Sequence, residues 1–165
     1  MATVTLGGKP CHTNGELPAV GVIAPDFVLV DGRLKNISLK NFSGKKKVLN
    51  IVPSLDTGTC QASTRRFNEL AAGRDDLVML IVSGDLPFAQ KRFCEEARAV
   101  NVKPLSMMRS RKFAKDYGVL LDDGPLAGVT ARAVVVLDEH NKVVYRQLVG
   151  EIANEPDYDS AMRAV

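Results

Sequence analysis

The sequence predicts an α/β fold: a mixed central β-sheet with helices on both sides and a β-hairpin at the N-terminus. Three observations point there. First, "KKVLNIV" (Lys46 to Val52) and "LVMLIVS" (Leu77 to Ser83) are nearly continuous apolar runs, the pattern of strands covered on both faces. Second, the segment between them has helical periodicity, so the three together make a β-α-β unit with parallel strands. Third, "RAVVVLDE" and "KVVYRQLV" are strands separated only by a tight turn at Glu139-His140-Asn141, and such neighbours pair antiparallel.

The remaining elements follow in chain order. "TVTLGGKPCHT" predicts a hairpin turning at Gly7-Gly8, and "DFVLVD" alternates like a short strand. The helix after the first buried strand spans about Thr57 to Ala72, with Phe67, Leu70 and Ala71 on one face. "LPFAQKRFCEEARAV" predicts a second helix, followed by a short strand near Leu105 and a helix "SRKFAKDYG" stopped by Gly118. The C-terminal "PDYDSAMRAV" predicts a last helix with Pro156 at its first position. No linker, repeat or low-complexity tract divides the chain, so residues 1–165 are expected to form one domain.

Composition narrows the function classes. The chain is 45% hydrophobic and 25% charged, with a net charge of +3, as in an ordinary soluble globule. The basic clusters Lys45 to Lys47 and "RSRKFAK" are short and interspersed with acids, which argues against nucleic-acid binding. The N-terminus lacks the charged and apolar regions of a signal peptide, and the longest apolar run is too short to span a bilayer. The expectation is a cytoplasmic protein without membrane contact, in which Cys11, Cys60 and Cys94 stay reduced. His12 and His140 have no ligand spacing with any cysteine, so neither a metal nor any other cofactor is expected.

The chemistry concentrates in "NIVPSLDTGTC", where the chain leaves a strand and enters a helix. With Thr57 as N-cap, Cys60 occupies the third helical position, and its sulfur faces the unpaired N–H groups of the first turn. Those groups and the helix dipole stabilise negative charge on the sulfur. Pro53 holds the chain extended and shields the site from water, while Asp56 opposes the thiolate unless it points outward. The competing reading makes Cys60 a small buried hydrophobe beside an ordinary cap.

The spacing Pro53-x-x-x-Thr57-x-x-Cys60 resembles the active-site motif of the peroxiredoxins, and "SLDTGTCQASTRRFN" resembles their thiol peroxidase subfamily. "SGDLPFAQKRFC", "DGPLAGVTARAVVVLDE" and "NEPDYDSA" extend the likeness over nearly the whole chain. The resemblance implies a thioredoxin-like fold, reduction of hydroperoxides, thioredoxin as the reductant and a homodimer. Residue by residue, it implies that Cys60 is the peroxidatic cysteine and that Cys94 is the resolving cysteine, joined to it in an intramolecular disulfide. Thr57 and Arg132 match the residues that bind peroxide and Pro53 matches the shielding proline, while Arg109 matches a second arginine less firmly tied to the site. Cys11 departs from the pattern and is assigned no role.

Elementary kinetics shows what such a site must supply. Moving any thiol from a pKa of ~8.5 to ~6 raises its thiolate fraction at pH 7 about 30-fold. Intrinsic nucleophilicity falls ~10–20-fold over the same span. Catalysis must therefore come mainly from aligning the peroxide and stabilising charge on its leaving oxygen. Two other classes use the same residues: a redox relay that hands Cys60 oxidation to a partner protein, and a binding module with inert cysteines. A disulfide oxidoreductase is disfavoured, since Gln61, Ala62 and Ser63 follow Cys60 and no C-x-x-C occurs.

Overall fold

Two glycines shape the start of the chain. Gly7 and Gly8 both have left-handed backbones, with φ of 59° and 79°, as a two-residue hairpin turn requires. The turn joins β1 (Thr3–Leu6) to β2 (Lys9–His12), with Leu6 opposite Lys9. The structure, a computed structural model, describes residues 1–165.

The main sheet contains β3 (Leu29–Val30), β4 (Asn36–Ile37), β5 (Lys46–Ile51), β6 (Leu77–Ser83), β7 (Lys103–Ser106), β8 (Ala133–Leu137) and β9 (Val143–Leu148). Its seven strands lie in the order β4-β3-β7-β6-β5-β8-β9. The β5-β6-β7 core is parallel, and the strands outside it pair antiparallel. The helices are α1 (Gly58–Ala71), α2 (Pro87–Glu96), α3 (Lys112–Asp116) and α4 (Tyr158–Arg163). No helix is long and apolar enough to cross a membrane.

Alternation along the central strands sorts the core into two layers. Leu49, Ile51, Leu80, Val82, Ala133 and Val135 face one side, where α3, a 3₁₀ turn at Leu39–Phe42 and the segment through Phe27 cover them. Val48, Val52, Met79, Ile81, Val134 and Val136 face the other, under Cys60 and Phe67 of α1, Phe93 of α2 and Ala161 of α4. Burial on both faces explains the uninterrupted apolar runs of β5, β6 and β8.

The expected hairpin, β-α-β unit and β8–β9 pair are all present. Three expectations shift. "DFVLVD" forms only the two residues of β3, and its partner β4 is too short to leave a period in the sequence. The second helix ends at Glu96 rather than near Val100. Pro156 lies outside the last helix, because the Asp157 carboxylate accepts from Ser160 N at 3.0 Å and makes Asp157 the N-cap. Gly118 does stop α3: its φ is +67°, and a Cβ there would meet Glu16 O at 2.2 Å.

One buried group breaks the apolar pattern. Lys47, in β5, is fully buried and its Nζ has no hydrogen-bond partner. Burial lowers the amine from its ordinary value of 10.5. The unfolded chain therefore binds this proton more tightly than the folded one. The destabilisation is complete below the folded value and fades as pH rises toward 10.5. Lys47→Met keeps the apolar stem and removes the amine, so unfolding free energy should rise by about 1–3 kcal/mol at neutral pH. Denaturant titrations at about pH 7 and about pH 9.5 should show the gain narrowing at the higher pH.

Candidate active site

The corner after β5 is built from both sides. Val52 N donates to Val82 O at 3.0 Å, and Thr130 Oγ1 donates to Val52 O at 3.1 Å, fixing the peptide before the buried Pro53. Thr57 then has extended backbone angles of −105° and 147° and caps α1, as its spacing predicts. Its Oγ1 accepts from Cys60 N at 3.4 Å and donates to Ser54 O at 3.2 Å. The cap bond to Cys60 N is the expected one; the hydroxyl's own proton goes to Ser54 O and not to the sulfur. Asp56 is exposed, as the sequence reading requires.

The sulfur's donor comes from far along the chain. Arg132, immediately before β8, extends Nη2 to within 3.3 Å of Cys60 Sγ. Its Nε donates to Ile152 O at 2.9 Å, which orients the guanidinium. Cys60 is 0% and Arg132 2% exposed, so the pair meets away from bulk water. None of the chain's ion pairs involves Arg132, and its Nη1 is buried without a partner. A buried cation without a carboxylate is costly, and the Cys60 sulfur and the Ile152 carbonyl are the partners it is given. Nη1 keeps both of its N–H groups free for an incoming oxygen.

Beneath the sulfur, Ser63 Oγ and Thr64 Oγ1 donate to Cys60 O at 3.0 and 2.9 Å, and Asn50 Nδ2 donates to Ser63 Oγ at 3.1 Å. The Ile152 carbonyl and this Asn50–Ser63 support were not anticipated from the sequence. Asn50 in the midst of an apolar strand is the one signal that could have shown the support.

Cys94 lies in α2, partly buried at the edge of the apolar layer that holds Cys60. Both cysteines are free. Burial, and secondarily Glu95, pushes the Cys94 thiol up to about 11. Arg109 is not brought to the sulfur. It donates to Asn36 Oδ1 and, at 3.1 Å, to Leu34 O, so its guanidinium braces the β3–β4 turn. Cys11 is 3% exposed and packs with Val4, Leu121, Ala131 and Ile152 as a small hydrophobe.

Comparison with known proteins fits this geometry. Residues 19–162 match the family described as Redoxin. The chain is 48% identical to a thiol peroxidase of Corynebacterium glutamicum, over 100% of this chain and 99% of that protein. It is also similar to a peroxiredoxin-like protein from Aquifex aeolicus, with TM-score 0.91 and 41% identity, covering 100% of this chain and 98% of the other. A thiol peroxidase from Chromobacterium violaceum matches with TM-score 0.87 and 28% identity, covering 98% and 93% of the two chains.

The raised Cys94 thiol generates a direct test. In a Cys60→Ser, Cys11→Ser background, alkylation of Cys94 by iodoacetamide should accelerate about tenfold per pH unit between about pH 7 and pH 10. The profile should still be climbing at the top of that range, toward the midpoint of about 11. A plateau below about pH 9 would show that burial does not hold this thiol protonated.

Proposed function

The chain belongs to the redoxin family as a thiol-dependent peroxidase, and we propose that Cys60 is the sulfur it oxidises. The observation that carries this assignment is the 3.3 Å contact between Arg132 Nη2 and Cys60 Sγ, both of them buried. A thiolate there attacks the distal oxygen of a hydroperoxide, breaking the O–O bond. The sulfur loses two electrons and becomes a sulfenic acid, and the departing alkoxide takes a proton to leave as alcohol or water. Arg132 stabilises charge on sulfur and, through the free Nη1, on the leaving oxygen. Pro53 shields the sulfur from water. Cys60 is fully buried, so local side-chain opening admits the peroxide; the Thr57 hydroxyl, still accepting from Cys60 N, re-aims its proton from Ser54 O to the peroxide.

Cys94 then loses its proton and displaces hydroxide from the sulfenic acid, giving an intramolecular disulfide. The features of α2 support the movement this step needs. The chain leaves the helix through Arg98 at φ 52°, a left-handed conformation that disfavours a non-glycine residue. Unwinding also exposes Cys94 to water and removes the burial that holds its thiol protonated. A thioredoxin-type dithiol returns two electrons and two protons to restore both thiols. The family resemblance further supports a homodimer, and a cycle that depends on reduced sulfur suits the cytoplasm. A relay of oxidation to partner proteins is not favoured, since the similar proteins are peroxidases.

Peroxide consumption with thioredoxin, its reductase and NADPH tests the scheme. Cys60→Ser should abolish turnover. Cys94→Ser should form the sulfenic acid at near-normal rate yet fail to recycle, and it should overoxidise with excess peroxide. Arg132→Ala should slow the first oxidation by about 100- to 1000-fold while the fold survives. Non-reducing mass spectrometry should find Cys60 linked to Cys94 within one chain. A linkage between chains or through Cys11 would sink the assignment.

A further inference from the structure

Three donors converge on one carboxylate between β6 and α2. Asp85 Oδ1 accepts from Ser54 Oγ at 2.7 Å, and Oδ2 accepts from Leu55 N and Ser83 Oγ, each at 2.7 Å. Its backbone oxygen accepts from Ser106 Oγ at the end of β7. Gln90 of α2 joins the cluster, donating through Nε2 to Ser83 Oγ and Leu105 O at 3.0 Å each. Ser83, Gln90 and Ser106 are fully buried.

We propose that Asp85 is a positioning residue for the oxidation of Cys60, a role that rests on the reading of Cys60 given above. Its carboxylate ties the turn leading into α1 to the root of α2. On one side the bonds run without a gap to the reacting residue. Ser54 Oγ is held by Asp85, Ser54 O accepts from the Thr57 hydroxyl, and Thr57 Oγ1 accepts from Cys60 N. Leu55, anchored through its N–H, packs in the same apolar layer as Cys60. On the other side, Ser83 and Gln90 hold the first turns of α2.

The consequence is a division of α2 at Gln90. Up to that residue the helix is fixed by buried hydrogen bonds. Beyond it, Cys94 is retained by the apolar packing of Phe93 and by the Arg65 guanidinium stacked 5.5 Å from the Phe93 ring centroid. Apolar contacts have no directional bonds to re-form and separate more readily than a charged acceptor holding several donors. The Cys94 segment therefore swings free while Asp85 keeps the peroxide pocket in its reactive shape.

Single-turnover oxidation, followed by rapid quench and mass spectrometry, resolves sulfenic-acid formation from disulfide formation. Asp85→Ala should slow the first step by about tenfold to hundredfold, with the second step within about threefold of wild type. Asp85→Asn keeps one acceptor oxygen and should fall between the two. If Asp85→Ala does not fold, Ser54→Ala, which removes one donor and spares the carboxylate, should slow the first step by about threefold to tenfold. An unchanged first step in both Asp85→Asn and Ser54→Ala overturns the proposal, and so does equal slowing of both steps, the mark of general loosening. Wild type run in parallel separates the layers of inference. If its Cys60 is not oxidised, the underlying assignment fails; if it is, and the variants match it, only the role of Asp85 fails.

Discussion

A cation buried without a carboxylate is the constraint on which the rest of this molecule depends. Arg132 is 2% exposed, and its polar contacts are Ile152 O and Cys60 Sγ. Removing a guanidinium from water costs several kcal/mol unless partners replace its hydration. Those partners come from two places: the segment after β9, which offers the Ile152 carbonyl, and the first turn of α1, which offers the Cys60 sulfur. Thr59 Oγ1, donating to Ala153 O at 2.9 Å, fastens α1 to the same segment. The burial of the guanidinium and the placement of the sulfur are therefore one arrangement.

The sheet makes that arrangement rigid. Because β5, β6 and β8 are covered on both faces, polar side chains in and beside them are few, and most answer to a partner. Asn50 supports the helix beneath Cys60, Thr130 fixes the peptide ahead of Pro53, and Ser83 and Ser106 join the Asp85 cluster. Most of these lie at the carboxyl ends of the parallel strands, where open α/β sheets carry their sites. Lys47, at the opposite end of β5, is the exception that finds no partner.

The two cysteine-bearing helices are made differently. α1 is capped by Thr57, buries Cys60, Thr64, Phe67 and Ala71 along one stripe, and holds its sulfur in place. α2 is shorter, has no side-chain cap and ends on a left-handed arginine. That difference suits the proposed cycle, in which the Cys60 sulfur meets peroxide in a set geometry and Cys94 travels to it.

What the sequence alone determined is local. Strand faces, the glycine turn, the end of α3 and the cap at Thr57 all follow from neighbours a few residues apart, whose preferences survive in any context. The Cys60 corner was legible for that reason. Arg132 was reached only through family resemblance, since it lies 72 residues from Cys60 and comes near because β5 and β8 pair with Ile51 opposite Ala133. Asp85 escaped notice in the same way, separated from Ser54 by 31 residues and joined to it across the ends of two parallel strands. Tertiary structure also decided where shared donors point: the Thr57 hydroxyl toward Ser54 O and Arg109 toward the β3–β4 turn. A hydrogen bond goes to whichever acceptor the assembled chain brings within reach, and local pattern carries no record of that choice.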